Sequence, residues 1–199
     1  MTQNRTEHHI LPERQYVIKL AILGDSAVGK TSLIDQYVQH SFTNNYIPTL
    51  GVNIVIKDIT IKDGKSFIRL TLWDIAGQDK YDLTRKMFYQ GCEGVLLVYD
   101  ITRPLTFNNV KDKWLKEYKD YAGKEGVYIL IGNKVDLRDQ GIASADSSQT
   151  VITFEDGAKF AKTIKASDFI ETSAKLGSNV ENAFETLYTQ VLRRHGENI

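Results

Sequence analysis

One segment constrains the fold more than any other: the apolar run Val17 to Leu23, followed by Gly24-Asp25-Ser26-Ala27-Val28-Gly29-Lys30-Thr31 and then a helical pattern. G-x-x-x-x-G-K-T after an apolar run predicts a strand, a tight loop and a helix start, in that order. The glycines let the backbone wrap closely, so that successive N–H groups point at phosphate oxygens at the positive end of a helix. Lys30 is expected to bridge the β- and γ-phosphates of a nucleotide, and the Thr31 hydroxyl to ligate Mg²⁺. A strand feeding such a loop belongs to a largely parallel sheet covered by helices.

The rest of the chain keeps that rhythm. Strands are expected at 16–23, 52–61, 66–73, 94–100, 127–132 and 168–171, and helices starting near 29, 80, 105, 154 and 178. Lys62-Asp63-Gly64-Lys65 separates the second and third strands, and Asp-Gly predicts an antiparallel hairpin there. Val95 to Val98 and Val127 to Ile131 are continuous apolar runs, as expected of strands covered on both faces. Pro104 suits the first turn of a helix. Thr153 with Asp156 three residues on reads as a looser capping box. Val180, Phe184, Leu187, Tyr188 and Val191 recur at helical spacing, which makes them core rather than ligand contacts. The fold class is therefore α/β: a six-stranded, mixed but mostly parallel sheet with about five helices. Residues 1–15 form a polar arm, 16–193 one domain and 194–199 a tail.

The phosphate loop alone does not choose a base. Asn133-Lys134-Val135-Asp136 does, directly after an apolar strand. A carboxylate such as Asp136 accepts two parallel hydrogen bonds from guanine N1–H and its exocyclic amine. Adenine offers no such donor pair, and its entry strands a desolvated charge. Lys134 is expected to lay its stem along the base and Asn133 to tie this loop to the phosphate loop. The third motif, Asp74-Ile75-Ala76-Gly77-Gln78, is weak alone, since roughly one D-x-x-G arises by chance in a chain of this length. Its place at the end of the strand 66–73 gives it weight. Asp74 is expected to hold Mg²⁺ through a water, the Gly77 N–H to bind the γ-phosphate, and Gln78 to orient the attacking water.

Together these motifs stand in the order and spacing of the Ras superfamily, and the chain most resembles its Rab branch from about Tyr16 to Leu192. Gly24-Asp25-Ser26, Trp73 and Met87-Phe88-Tyr89-Gln90-Gly91 carry the Rab likeness. The resemblance implies a P-loop NTPase that binds GTP or GDP with Mg²⁺, hydrolyses GTP slowly and acts as a switch in vesicle traffic. Matching Ile47-Pro48-Thr49-Leu50-Gly51 to the first switch implies that Thr49 ligates Mg²⁺ and senses the γ-phosphate. Phe42 then lies against the guanine face and Tyr46 over the phosphates. Glu171-Thr172-Ser173-Ala174-Lys175 matches the final motif, with the Ala174 amide on guanine O6 and Ser173 and Lys175 beside the base. Asp25, Ser26, Ala27, Val28, Gly29 and Ser32 complete the implied nucleotide contacts. Residues 42–54 and 77–91 are the expected surface for effectors, an exchange factor and a GTPase-activating protein.

Departures from the Rab pattern are also present. Leu50-Gly51-Val52-Asn53-Ile54 stands where I-G-V-D-F is typical, and Asp79-Lys80-Tyr81 where E-R-F is. Residues 139–150 hold an insertion of about eight residues, rich in Ser, Asp, Gln and Ala. The last residues, Arg193 to Ile199, contain neither a cysteine pair nor C-a-a-X, so membrane attachment is expected only through a lipidated continuation.

Bulk properties exclude other classes. With 25 basic and 25 acidic side chains, no global field recruits nucleic acid. No window approaches the roughly 18 apolar residues of a membrane span, and the arm carries charges instead of a secretory apolar core. Thr2 replaces the glycine of an N-myristoylation signal, and His8 and His9 read as solvated. The lone Cys92 reads as a small buried hydrophobe in a reducing compartment. A cytoplasmic monomer is expected. A nucleotide-holding scaffold and a metabolic phosphotransferase are the other function classes. Gln78 and Thr49 speak against the first, and Asn133 to Asp136 against the second.

Overall fold

The computed structural model describes residues 14–43, 48–61, 66–77, 82–122, 126–139 and 151–197. Six strands, β1 (Arg14–Leu23), β2 (Val52–Thr60), β3 (Ser66–Ile75), β4 (Gly94–Asp100), β5 (Val127–Asn133) and β6 (Asp168–Thr172), form one sheet. Their order is β2-β3-β1-β4-β5-β6, with β2 antiparallel to β3 and every other pair parallel. The Asp63-Gly64 turn, Tyr46, Gln78 and nearly all of the 139–150 insertion lie outside the described residues, but the antiparallel pairing expected of that turn is present.

Helices α1 (Lys30–Gln39), α2 (Asp82–Tyr89), α3 (Pro104–Asn109), α4 (Lys116–Tyr121), α5 (Asp136–Asp139), α6 (Phe154–Ile164) and α7 (Val180–Arg194) flank the sheet. Every residue of β4 and β5 is buried, so alternate side chains feed cores on opposite faces. Leu96, Val98, Ile129 and Ile131 pack with α1 and α7, where the Tyr37 and Phe184 rings stack at 4.2 Å. Val95, Leu97, Tyr99 and Leu130 pack on the other face against Val110, Trp114 and Tyr118 and against Ala161 and Ile164 of α6. Helix starts fall within about two residues of the expected ones. At α6, Thr153 Oγ1 accepts the Asp156 amide at 3.1 Å, as a capping residue should.

Apolar periodicity did not disclose one feature: α3 and α4 are joined by a π-turn over Val110–Leu115. Residues five apart stand about 140° from one another on a regular α-helix. The wider π-turn brings them onto a common side. Here those residues are Asn109 and Trp114, and both donate to Asp25, at 2.8 Å each.

Cys92 is buried, donates its S–H to the Gly94 carbonyl, and has its thiol pushed up to about 12 by burial. It should resist alkylation by iodoacetamide in the native state and react only on unfolding, because the thiolate is the nucleophile. Native labelling at the rate of a free peptide thiol, followed by mass spectrometry, would contradict this packing.

Candidate functional site

All three motifs end at one edge of the sheet. After β1 the chain builds β2 and β3 on one side of it and β4, β5 and β6 on the other, and the loop after β1 opens at this switch in strand order, where ligands of such sheets bind. A cavity of about 550 Å³ lies there, large enough for a mononucleotide.

The phosphate loop forms the floor. Ser26, Ala27, Gly29, Lys30, Thr31 and Ser32 line the cavity. Gly29 has φ +102, and a Cβ there would run into the Asn133 amide, so only glycine fits. Lys30 is buried and donates to the Gly24 and Asp25 carbonyls at 2.8 Å each. Burial lowers its ammonium to about 8, so an anion entering here meets a poorly solvated cation. Val28 is not in the wall, since its side chain is core. The Asp25 carboxylate is turned away from the cavity to the π-turn, so only its backbone serves the loop.

Beside the floor three oxygens converge. Thr31 Oγ1 donates to Asp74 Oδ2 at 2.5 Å, Thr49 Oγ1 lies 2.9 Å from Thr31 Oγ1, and Thr49 stands 3.3 Å from the same carboxylate. Burial raises the Asp74 carboxyl, against the pull of Thr31, Lys30 and Thr49. Its Oδ1 is buried with no hydrogen-bond partner. An orphaned carboxylate oxygen beside two hydroxyls is a hard oxygen set, and it fits Mg²⁺, which takes one or two carboxylates and completes its shell with phosphate and water. Gly77 packs flat on the floor: a Cβ there would come within 2.6 Å of the backbone of Asp25 and Ser26.

The far end is built for a base. Asn133 is the joint: Nδ2 donates to the Val28 carbonyl at 2.9 Å, and Oδ1 accepts from Thr172 Oγ1 at 3.0 Å and from the Ala174 amide at 3.2 Å. That amide, expected to face a base, donates here to Asn133, whose oxygen accepts from it and from Thr172 through its two lone pairs. Ala174 and Lys175 still line the cavity. Asp136 is 3% exposed and lines the same cavity, its Oδ1 accepting from Ser173 Oγ at 2.6 Å. Ser173 is therefore a support behind the carboxylate and not part of the wall. Lys134 and Phe42 close the sides. Asp35, Thr43 and Leu137 also line the cavity, although no motif marks them.

A family model described as the Ras family matches residues 19–193. The chain is 35% identical over 177 residues to Ras-related protein Rab-1 of Theileria parva, covering 89% of this chain and 75% of that protein. It is 38% identical over 183 residues to Ras-related protein RIC1 of Oryza sativa subsp. japonica (92% and 84% covered). It is 37% identical over 187 residues to GTP-binding protein ypt1 of Schizosaccharomyces pombe (94% and 86% covered).

Proposed function

Because the chain belongs to the Ras family, as a GTP-hydrolysing switch of the Rab kind that serves membrane traffic, we propose that this cavity holds guanine nucleotide with Mg²⁺ and that its own residues run the cycle. The observation carrying this assignment is that Asp136 and Asn133 line the same cavity as Lys30, Thr31 and Thr49, with Asp74 behind. Base selection and phosphate binding thus act on one molecule.

In this reading Lys30 and the loop amides bind the phosphates, Asp136 selects guanine, and Lys134 and Phe42 flank the base, with Tyr46 over the phosphates. Thr31, Thr49 and Asp74 hold Mg²⁺, which supplies charge neutralisation on the phosphate oxygens. Gln78 orients the water. Thr49 and the Gly77 amide grip the γ-phosphate and are released once it leaves, so that the flanking segments change state with the nucleotide. The family acts through regulatory and effector partners, and residues 42–54 and 77–91 are their proposed surface here. Exposed Leu50, Ile54 and Met87 support that surface, since apolar side chains held in water favour contact with a partner. No described helix is long and apolar enough to cross a membrane, so attachment to an endomembrane rests on a lipidated tail or a partner.

The test is turnover of GTP and of ATP by the same preparation, side by side, with Mg²⁺ present. Slow conversion of GTP with none of ATP is expected. Equal turnover of ATP, or nucleotide binding without turnover of either, overturns the assignment.

A further inference from the structure

The carbonyls of the phosphate loop from Gly24 to Val28 are all taken by side chains. Lys30 takes those of Gly24 and Asp25, and Asn133 that of Val28. The two at the apex are gripped from elsewhere: Arg103 Nη1 donates to Ser26 O at 3.0 Å, and Lys134 Nζ to Ala27 O at 2.8 Å. Lys134 is itself held by Asp100, with Nζ 2.8 Å from Oδ2. Asp100 and Arg103 are the two ends of one tight turn after β4, closed by the Arg103 amide on the Asp100 carbonyl at 2.9 Å. Buried Thr106 braces it, accepting the Asp100 amide at 3.0 Å and donating to the Arg103 carbonyl at 2.8 Å. The Ile101 amide ties the turn to the Asn133 carbonyl at 3.2 Å.

We infer that this turn, Asp100 to Arg103, is a latch on bound nucleotide, a positioning element beyond the recognised motifs. In a trans peptide the C=O and N–H point in opposite directions. Cations bonded to the Ser26 and Ala27 carbonyls therefore fix the orientation of those two peptide units, and with it that of the next amides, and polarise those amides as donors. The inference rests on the guanine-nucleotide reading of the cavity. Asp100 serves that site through Lys134, whose backbone is in the left-handed region at φ +72, a conformation that persists only where its surroundings impose it. Asp100 is 1% exposed and also accepts from the Thr102 amide and hydroxyl at 2.9 and 2.7 Å, so its carboxylate is held by its own turn as well as by Lys134. Arg103 is exposed and works directly on the loop.

The experiment measures release of labelled GDP from the full chain with Mg²⁺ present, chased with excess unlabelled GDP, beside single-turnover GTP hydrolysis. Arg103→Gln should release GDP about threefold faster or more, as expected for a solvent-exposed bond to a charged donor, and Arg103→Lys should recover most of the difference. Asp100→Asn should release GDP about tenfold faster. In a Lys134→Met background, however, Asp100→Asn should add nothing, since its effect runs through that side chain. Two results overturn the latch: GDP release at the parent rate in Arg103→Gln, or Asp100→Asn effects that simply add to those of Lys134→Met. A fall in hydrolysis of about 10³-fold in Arg103→Gln with unchanged release also overturns it, because Arg103 would then be a catalytic arginine. If the guanine reading itself fails, the parent chain holds no GDP and Lys134→Met is silent, a pattern distinct from all of these.

Discussion

Replacing Asp136 with Asn is expected to weaken GTP binding by more than an order of magnitude and to turn base preference toward xanthine nucleotides. The carboxylate is 3% exposed, and its Oδ1 is anchored by Ser173 at 2.6 Å, so it cannot swing into solvent to escape a mismatch. Guanine presents N1–H and an exocyclic amine side by side, and a carboxylate accepts both. An amide keeps one acceptor and turns the other into a donor, which then faces the guanine amine. Loss of a hydrogen bond to a charged group costs about 1.5–3 kcal/mol when the partner stays buried. That is at least tenfold in affinity. Xanthine carries a 2-oxo group where guanine has the amine, and the new donor matches it. Competition binding with GTP, XTP and ATP checks the result. An unchanged preference for GTP would make Asp136 an ordinary loop carboxylate.

Gln78 carries the other large effect. Its neighbour Gly77 lies flat against Asp25 and Ser26 of the phosphate loop, and the role proposed for Gln78 is to orient water at that end without touching the base. Gln78→Leu should therefore leave GTP affinity within a few-fold while slowing single-turnover hydrolysis tenfold or more, about 1.4 kcal/mol of barrier. Thr31→Asn should act in the opposite sense. Its hydroxyl belongs to the oxygen cluster with Thr49 and Asp74, so its loss should weaken GTP more than GDP and favour the resting form. Hydrolysis at the parent rate in Gln78→Leu would remove the glutamine from the mechanism and leave base recognition standing.

Much of this was legible in the sequence because the motifs are backbone devices. Gly29 leaves no room for a side chain against Asn133, and N-K-x-D begins on the last residue of a strand whose seven residues are all buried, so order along the chain fixes order in space. Continuous apolar runs marked β4 and β5 as central, and Pro104 marked a helix start to within one residue. What stayed hidden depends on side chains meeting across the fold. Arg103 and Asp100 are ordinary turn residues until β4 is set beside β1. Ser173, expected beside the base, is buried and donates to Asp136, and no periodicity distinguishes a carboxylate that lines the cavity, as Asp136 does, from one that faces a helix, as Asp25 does. The π-turn was invisible for a related reason: a local widening leaves the apolar pattern nearly unchanged and shows only in which donors reach one acceptor.

That widening has a mechanical meaning. Because Asn109 and Trp114 grip the two oxygens of one carboxylate from opposite ends of an overwide turn, the helix cannot slide along the sheet or rotate about its axis without breaking a bond to Asp25. Downstream, Glu117 receives two bonds from Arg85 at 2.8 and 3.0 Å and one from Tyr89 at 2.9 Å, so the same rod carries α2. Floor and rod thus form a chassis. Departure of the γ-phosphate is then expected to move the segments that Thr49 and Gly77 begin rather than the floor beneath them.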